Sequence, residues 1–299
     1  MSEPPNDRVM LAIFLRVTSV FAFAIMGAMI KLAEAGGAHL AETMFFRQLF
    51  ALVPVTLWIS AGPGLSSIRT RRIGAHILRT GLGLVSMSFV FGTILLLPLA
   101  ESTTLQFTLP IWATILGAVL LSERVGWHRW GAVIMGFVGV LIITQPGAGM
   151  AGWGIATGLI GALLSAGVSI LLRQIGKTEG AATTVFWFSA LSVPPTAIAF
   201  AITASPHPAQ TWLLLALVGM CGGIAQMLMT ASLKLGPVSL VVPMDYTGLV
   251  WATLFGWVLF DVLPGWSTWL GAPFVIGSGL YIVWREHVRR RGETTQAIA

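Results

Sequence analysis

The sequence predicts an all-α membrane protein with ten transmembrane helices arranged as two inverted five-helix repeats. Three observations carry that expectation: a composition too apolar for water, ten apolar runs of spanning length, and a set of residues that returns 140 positions later. Of 299 residues, 56% are hydrophobic and 9% charged, and the mean hydropathy is +0.86. A soluble domain carries about 25% charged residues. This chain therefore has too few polar groups to cover a folded surface in water, which excludes a soluble enzyme, a nucleic-acid-binding protein and a secreted domain. The formal charge of +6 does not point to nucleic acid, because the basic residues sit at the ends of apolar runs, where they act as topology signals. A single cysteine, Cys221, leaves no intrachain disulfide and no cysteine-based zinc site.

A spanning helix needs about 20 apolar residues, because the hydrocarbon core is about 30 Å thick and each residue rises about 1.5 Å. Span 1, residues 9–33, follows a polar stretch, 1–8, without a small-residue cleavage site, so it reads as uncleaved. Span 2 covers 38–60 and stops at Gly62-Pro63-Gly64; spans 3, 4 and 5 cover 74–97, 101–121 and 128–145. Gln145-Pro146-Gly147 closes the first half. Spans 6 to 10 cover 153–175, 181–203, 210–233, 238–260 and 267–284, with breaks at Pro206-His207-Pro208 and Gly236-Pro237. The domains expected are thus a cytoplasmic N-terminus (1–8), a first five-helix repeat (9–145), a second, inverted repeat (153–284) and a basic cytoplasmic tail (285–299).

Orientation follows from the cations. Arg8, Arg69, Arg71, Arg72, Arg79, Arg124, Arg129, Arg173, Lys177, Lys234, Arg285, Arg289, Arg290 and Arg291 fall on one side of this alternation. The opposite loops hold Glu34, Glu101 and Asp261, with Lys31 as their basic flank. Positive charge stays inside, so both termini are expected in the cytoplasm of a bacterial-type inner membrane. Eight of the twelve Trp (58, 127, 130, 153, 212, 266, 269 and 284) lie near span ends, as an interfacial aromatic belt requires.

The repeat is visible in order rather than in identity. Thr43, Phe46, Val53 and Pro54 return as Thr183, Phe186, Val193 and Pro194. Span 4 and its exit read PIWATILGAVLLSERVGWHRWGA from Pro110 to Ala132; span 9 and its exit read GLVWATLFGWVLFDVLPGWSTWLGA from Gly248 to Ala272. Glu123 matches Asp261, Trp127/Trp130/Gly131 match Trp266/Trp269/Gly271, and Gly139 matches Gly279. An odd number of spans per half forces the second copy into the bilayer upside down, with a binding site at the interface of the halves near the midplane. That architecture serves alternation of access, so transport is the leading class.

These residues also carry a resemblance. The two five-span halves, the Leu121-Ser-Glu-Arg-Val-Gly-Trp exit of span 4 with Pro110 upstream, and Arg47 in span 2 resemble the EamA-type branch of the drug/metabolite transporter superfamily over nearly the whole chain. Two positions depart from its pattern: Asp261 stands where Glu is usual, and Gly248 where a proline would be, so span 9 is expected to lack the kink of span 4. The resemblance implies small-metabolite carriage, often export of amino acids, aromatic ones included. It also implies a cavity lined by spans 1, 3, 4, 6, 8 and 9, with spans 5 and 10 at the periphery. The run PMDYTGLVWA from Pro243 to Ala252 is similar to carriers of the S-adenosylmethionine type.

Ionisable residues at the centre of a span cost about 2.5–3.5 kcal/mol on insertion scales. Asp245 lies about 11 Å into span 9 at 1.5 Å per residue. It reads either as the contact for a substrate amine or a proton, or as a structural tie to hydroxyls such as Thr247. Arg47 in span 2 reads as a carboxylate clamp, or as a structural arginine paired with Glu42 or with carbonyls. Gln106-Phe107-Thr108 pairs with Met244-Asp245-Tyr246 at an offset of 138, one triplet in the outer third of span 4 and the other in the inner third of span 9. Such positions would be gates above and below a central cavity. Gln226, without such a mate, reads as an interhelical hydrogen-bonding residue. Of the four Trp away from the interfaces (112, 187, 251 and 257), Trp112 and Trp251 are the candidates for lining the cavity. Ser86, Met87, Ser165 and Ser169 sit beside glycines, and Gly154–Gly158 and Gly219–Gly223 are small-xxx-small pairs that bring helices close; Ser165 and Met87 are also carried as cavity candidates.

No histidine is expected at mid-span, neither an HExxH motif nor a P-loop is present, and no filter-like loop or ring of like charge marks a channel. The expectation is a carrier rather than an enzyme or channel, without cofactor or metal, acting as a monomer on a small molecule in the lipid bilayer. With Arg47 counted as the one buried cation, the cavity suits neutral or zwitterionic amino acids, above all export of neutral and aromatic ones. The alternative is an S-adenosylmethionine-type or other metabolite carrier.

Overall fold

The computed structural model describes residues 6–62, 64–120, 126–145, 152–176, 178–236 and 238–298. Glu123 and the rest of the span 4 exit from Leu121 to Val125 lie outside the described residues, as does Lys177. The described chain is helical without strands: α1 Asn6–Ala35, α2 Leu40–Ala61, α3 Ile73–Leu96, α4 Leu99–Gln106, α5 Leu109–Leu120, α6 Trp127–Thr144, α7 Gly152–Ile175, α8 Ala181–Thr203, α9 Ala209–Leu235, α10 Val238–Val241, α11 Gly248–Phe260 and α12 Trp266–Ile298. Short 3₁₀ turns occupy Leu65–Ile68 and Val242–Thr247. In lipid each backbone donor and acceptor must be met within the segment, which is why the apolar runs become helices.

Eight stretches among the described residues are long and apolar enough to cross a membrane: α1, α2, α3, α4 with α5, α6, α7, α8 and α9. The two remaining expected spans do not meet that test. Residues 238–260 are broken into α10, a 3₁₀ turn and α11, and 267–284 lie in α12, whose first turn is Trp266-Ser-Thr-Trp269 and which holds Pro273. α12 continues through Ile298, so the basic tail expected from 285 onward is a helical extension of span 10.

Helix pairing has a regular pattern. α1 packs along α9 and α7 along α3; α11 lies on α1 and α5 on α7; α2 faces α8 and α6 faces α12. Exchanging α1 with α7, α3 with α9, α5 with α11, α2 with α8 and α6 with α12 returns the same set of pairs. Lipid tails give helices no hydrophobic reason to associate, so close packing at small residues has to hold them. A Cβ at Gly223 on α9 would stand 2.7 Å from Pro54 and 3.0 Å from Ala51 on α2, and one at Gly139 on α6 would stand 2.8 Å from the carbonyl of Gly271 on α12. Exposed Trp127, Trp153, Trp266 and Trp269 mark helix ends.

Polar ties fix the helix ends. Glu42, at the third position of α2 and 0% exposed, accepts from the His39 amide at 2.6 Å, the Ser205 amide at 3.1 Å and His207 Nε2 at 2.9 Å. Glu101 in α4 accepts from Gly265 N at 3.3 Å and Thr268 Oγ1 at 3.1 Å, and Lys31 donates to the carbonyls of Ile94 and Leu97 at 3.0 and 2.7 Å. At the other end of the bundle, Thr70 donates to Glu179 at 2.8 Å and Trp187 Nε1 to the Ile68 carbonyl at 2.8 Å.

Candidate functional site: a central cavity at two broken spans

Span 4 breaks at Phe107-Thr108, between α4 and α5. Pro110 has no N–H for the carbonyl of Gln106, so the regular hydrogen bond four residues back is lost there. Within the break the Thr108 hydroxyl donates to the Leu105 carbonyl at 2.7 Å, which ties the turn locally. Span 9 breaks over a longer stretch, the six-residue 3₁₀ turn Val242–Thr247, with Pro243 at its start. This corrects the expectation that span 9, having Gly248 in place of a proline, would be the straighter of the two. Pro243, five residues upstream, breaks it more thoroughly. Mid-helix 3₁₀ stretches of this length are uncommon and often mark functional positions.

The two breaks meet. The rings of Phe107 and Tyr246 stand edge to face with centroids 4.9 Å apart, so the paired triplets lie side by side. Gates above and below a cavity, the reading from their opposite sequence depths, are not what the triplets form. Around this contact is a cavity of about 390 Å³, within the range of about 300–1,000 Å³ for small-molecule sites. Its wall comes from α1 (Arg16, Phe23), α3 (Ile94), α4 and α5 (Thr103, Gln106, Pro110), α9 (Met229), the 3₁₀ turn (Asp245, Tyr246) and α11 (Gly248, Ala252).

The one ion pair in that wall joins Arg16 of α1 to Asp245. Arg16 Nε donates to one carboxylate oxygen and Nη2 to the other, a two-pronged arrangement. Such forks set geometry as well as energy. Arg16 keeps 9% of its side-chain surface accessible and Asp245 keeps 35%, so the carboxylate is the more open partner. The tie to Thr247 considered for Asp245 does not form, because the Thr247 hydroxyl donates to the Met244 carbonyl at 2.7 Å. Behind the cavity, the Tyr246 hydroxyl reaches α12 at Gly279, where any Cβ would collide with it. That hydroxyl and the amide nitrogen of Gln106 are buried without a hydrogen-bond partner.

Of the residues singled out from sequence, Asp245, Tyr246, Gln106 and Phe107 line this cavity, whereas Met244, Trp112, Trp251, Ser165, Met87 and Arg47 are not among its wall residues. Trp251 packs edge-on against Phe21 at 4.8 Å and Trp112 against Phe137 at 5.3 Å. Ser165 exchanges a hydrogen bond with Ser86 at 2.8 Å, joining α7 to α3, and Met87 belongs to an apolar cluster with Met26, Ile30, Met44, Phe91 and Val218. Span 6, expected in the wall, contributes none of these wall residues. Arg47 does not pair with Glu42; its Nη1 donates to Gln48 Oε1 at 2.7 Å.

Sequence reasoning missed Arg16. It sits only eight residues from Arg8, close enough to the end of span 1 to pass for a topology signal. Yet eight helical residues, about 12 Å at about 1.5 Å each, carry it past Arg8 to Asp245, and an unmatched intramembrane carboxylate is the signal that a cation has to be found for it. Arg47 is also not the one buried cation: Arg16, Arg79 and Arg129 are 7%, 5% and 9% exposed.

The EamA-like transporter family matches the chain twice, over residues 10–145 and 152–284. A riboflavin transporter of Vibrio cholerae is 26% identical over 93% of this chain and 94% of its own length. An S-adenosylmethionine uptake transporter of Rickettsia bellii is 26% identical over 83% and 85%, and a pseudopaline exporter of Pseudomonas aeruginosa is 24% identical over 90% and 95%. A solved structure described only as the crystal structure of a protein shares the fold, with a TM-score of 0.61 at 19% identity over 89% of this chain and 96% of that one. With the family model covering both halves, the chain belongs to the EamA-like transporter family of the drug/metabolite transporter superfamily, a multi-pass membrane transporter of small molecules.

Proposed function

We propose that this transporter is a secondary carrier of a flat heteroaromatic metabolite of the riboflavin kind, rather than an amino-acid exporter. The observation that carries the proposal is the cavity of about 390 Å³, whose one charged pair is internally compensated and whose wall is otherwise neutral, mainly apolar with Ser19, Thr103 and Gln106 as its polar side chains and with the rings of Phe23, Phe107 and Tyr246. A neutral ring system can be held there by stacking on aromatic faces without bringing its own charge into low dielectric. An amino-acid zwitterion would need separate partners for both its charges, and Arg16 and Asp245 already hold each other. The similarity to riboflavin transporters over most of their length supports the same reading.

A second reading rests on Asp245. Its carboxylate is more accessible than the Arg16 head, so a cationic cargo such as S-adenosylmethionine could displace Arg16 as its partner; relatives of that name are similar to this chain. In either case the two five-span halves, placed upside down to one another, rock around the cavity and alternate its access. The exchangeable pattern of helix pairs supports that arrangement. The carrier acts as a monomer in the inner membrane, with both termini in the cytoplasm, as the positive-inside pattern supports for the termini.

The test is counterflow in proteoliposomes with labelled riboflavin, S-adenosylmethionine and phenylalanine, for wild type and Asp245→Asn. Riboflavin counterflow that drops about tenfold or more in the variant supports the proposal, since charge-assisted bonds contribute about 1.5–3 kcal/mol. Counterflow of S-adenosylmethionine alone moves the assignment to the second reading. Phenylalanine alone restores the amino-acid carrier.

A further inference from the structure

Outside the cavity the bundle holds two further buried cations close together. Arg47 on α2 and Arg79 on α3 are 6% and 5% exposed, and both guanidinium groups lie over the ring of Phe188 on α8, at 5.7 and 3.5 Å from its centroid. Arg79 was read from sequence as a cytoplasmic flank, but it lies two turns inside α3. Neither arginine has an ion pair among the described residues. The acidic residue at this end, Glu179, is engaged by Thr70 at 2.8 Å and faces His76 at 4.0 Å. Three donor nitrogens, Arg47 Nε and Arg79 Nε and Nη1, are buried without a partner.

Magnitudes show that the two guanidinium groups are poorly compensated by their neighbours. Removing a guanidinium from water costs several kcal/mol per ion even after relaxation, and two like charges held together add to that. A cation–π contact returns only part of that cost, and one ring serves both groups here. The Gln48 carbonyl satisfies one donor but brings no charge. The helices are nonetheless shaped to hold these heads. A Cβ at Gly83 would stand 2.9 Å from the Phe188 ring and 3.5 Å from Arg79 Nη1, and one at Gly222 would stand 3.2 Å from Arg47 Nε.

We infer that Arg47 and Arg79, set around Phe188, form a binding site for an anionic phosphate group, distinct from the central cavity. The charge matches: a phosphate monoester carries about −1.5 to −2 at pH 7 against two guanidinium groups. The donor chemistry matches as well, because guanidinium N–H groups donate to phosphate oxygens, and three such donors are without a partner around Phe188. The phosphate group can come from a free anion or, as a singly charged diester, from a lipid headgroup reaching between helices.

The site is tested on the full-length protein in phosphatidylcholine nanodiscs, titrated with inorganic phosphate at ionic strength held constant with chloride, with thermal unfolding as the readout. Ligand that binds only the folded state raises Tm in a saturable way, and wild type is expected to show this. Arg47→Gln and Arg79→Gln weaken the apparent phosphate affinity about tenfold or more. Arg79→Lys, which keeps the charge and loses the fork, falls between, and it preserves the test if the glutamine variants do not fold. Asp245→Asn keeps the phosphate response. A stabilisation that needs phosphatidylglycerol instead of free phosphate, and that is lost in the Arg79 variants, assigns the phosphate group to lipid. No response of wild type to either source, or an equal response in the arginine variants, overturns the site, and loss of the response in Asp245→Asn overturns its separation from the cavity.

Discussion

The two broken spans hold matching places in the two halves, yet they are built differently. Between α4 and α5 the break is two residues long and neutral, with Gln106, Phe107 and Thr108 around it and helical hydrogen bonds running up to both sides: Phe107 N to Thr104 O at 3.1 Å and Trp112 N to Thr108 O at 3.1 Å. Between α10 and α11 it is six residues long, wound as 3₁₀, and carries Asp245. A neutral break can be held by its own helix. A charged one needs a partner from elsewhere in the bundle, and α1 supplies it through Arg16. The first break thus contributes mainly shape to the cavity, and the second contributes a charge that α1 of the first half answers. Substrate selection by polarity should then depend on the second break more than on the first.

The largest effect is expected from separating the charged break from its partner. Arg16→Met leaves Asp245 in the bundle without a counter-charge, and breaking a buried pair by removing one side costs about 3–5 kcal/mol. Low yield and a lower Tm should accompany loss of counterflow. The double variant Arg16→Met/Asp245→Met should recover most of the stability, because a buried pair replaced by apolar groups is often neutral or better, while transport stays lost. A double variant that transports like wild type would place the pair outside the working site. Next in size is Gly279→Ala. The added methyl falls where the Tyr246 hydroxyl lies, and overpacking of this kind costs about 1–3 kcal/mol. Tyr246 is pushed toward the cavity, so counterflow should fall several-fold, and Tyr246→Phe in the same background should recover part of it by removing the clashing oxygen.

Much of the frame was legible in the sequence because it follows from one-dimensional quantities. Apolar run length sets the helices, and proline and glycine set their ends, so eight expected spans coincide with membrane-crossing stretches within a few residues. What failed was three-dimensional. Arg16 and Asp245 are far apart in sequence, and no run or period links them. Arg79 lies near enough to a helix start to resemble a flank, and only the crossing of α2, α3 and α8 shows it buried over Phe188. The kink of span 9 was misjudged because the proline was sought at the repeat-matched position, Gly248. A break needs the missing N–H somewhere in the turn, and Pro243 provides it.

The smallest effects should come from the neutral break, and they sharpen the comparison because size and direction both count. Gln106→Leu removes an amide whose nitrogen already lacks a partner, so folding should change little; interhelical polar contacts in membranes average about 0.6 kcal/mol. If the first break contributes only shape, riboflavin counterflow in this variant changes less than about threefold, against about tenfold or more for Asp245→Asn. The backbone gives the parallel test. Pro110→Ala returns one N–H to a two-residue interruption that the Thr108 hydroxyl ties locally, whereas Pro243→Ala returns it to a six-residue 3₁₀ stretch whose winding holds Asp245 against Arg16. Counterflow should therefore fall further in Pro243→Ala than in Pro110→Ala. Equal losses would mean that both halves set the cavity through backbone shape alone, with the ion pair as a structural fastening between α1 and the second break.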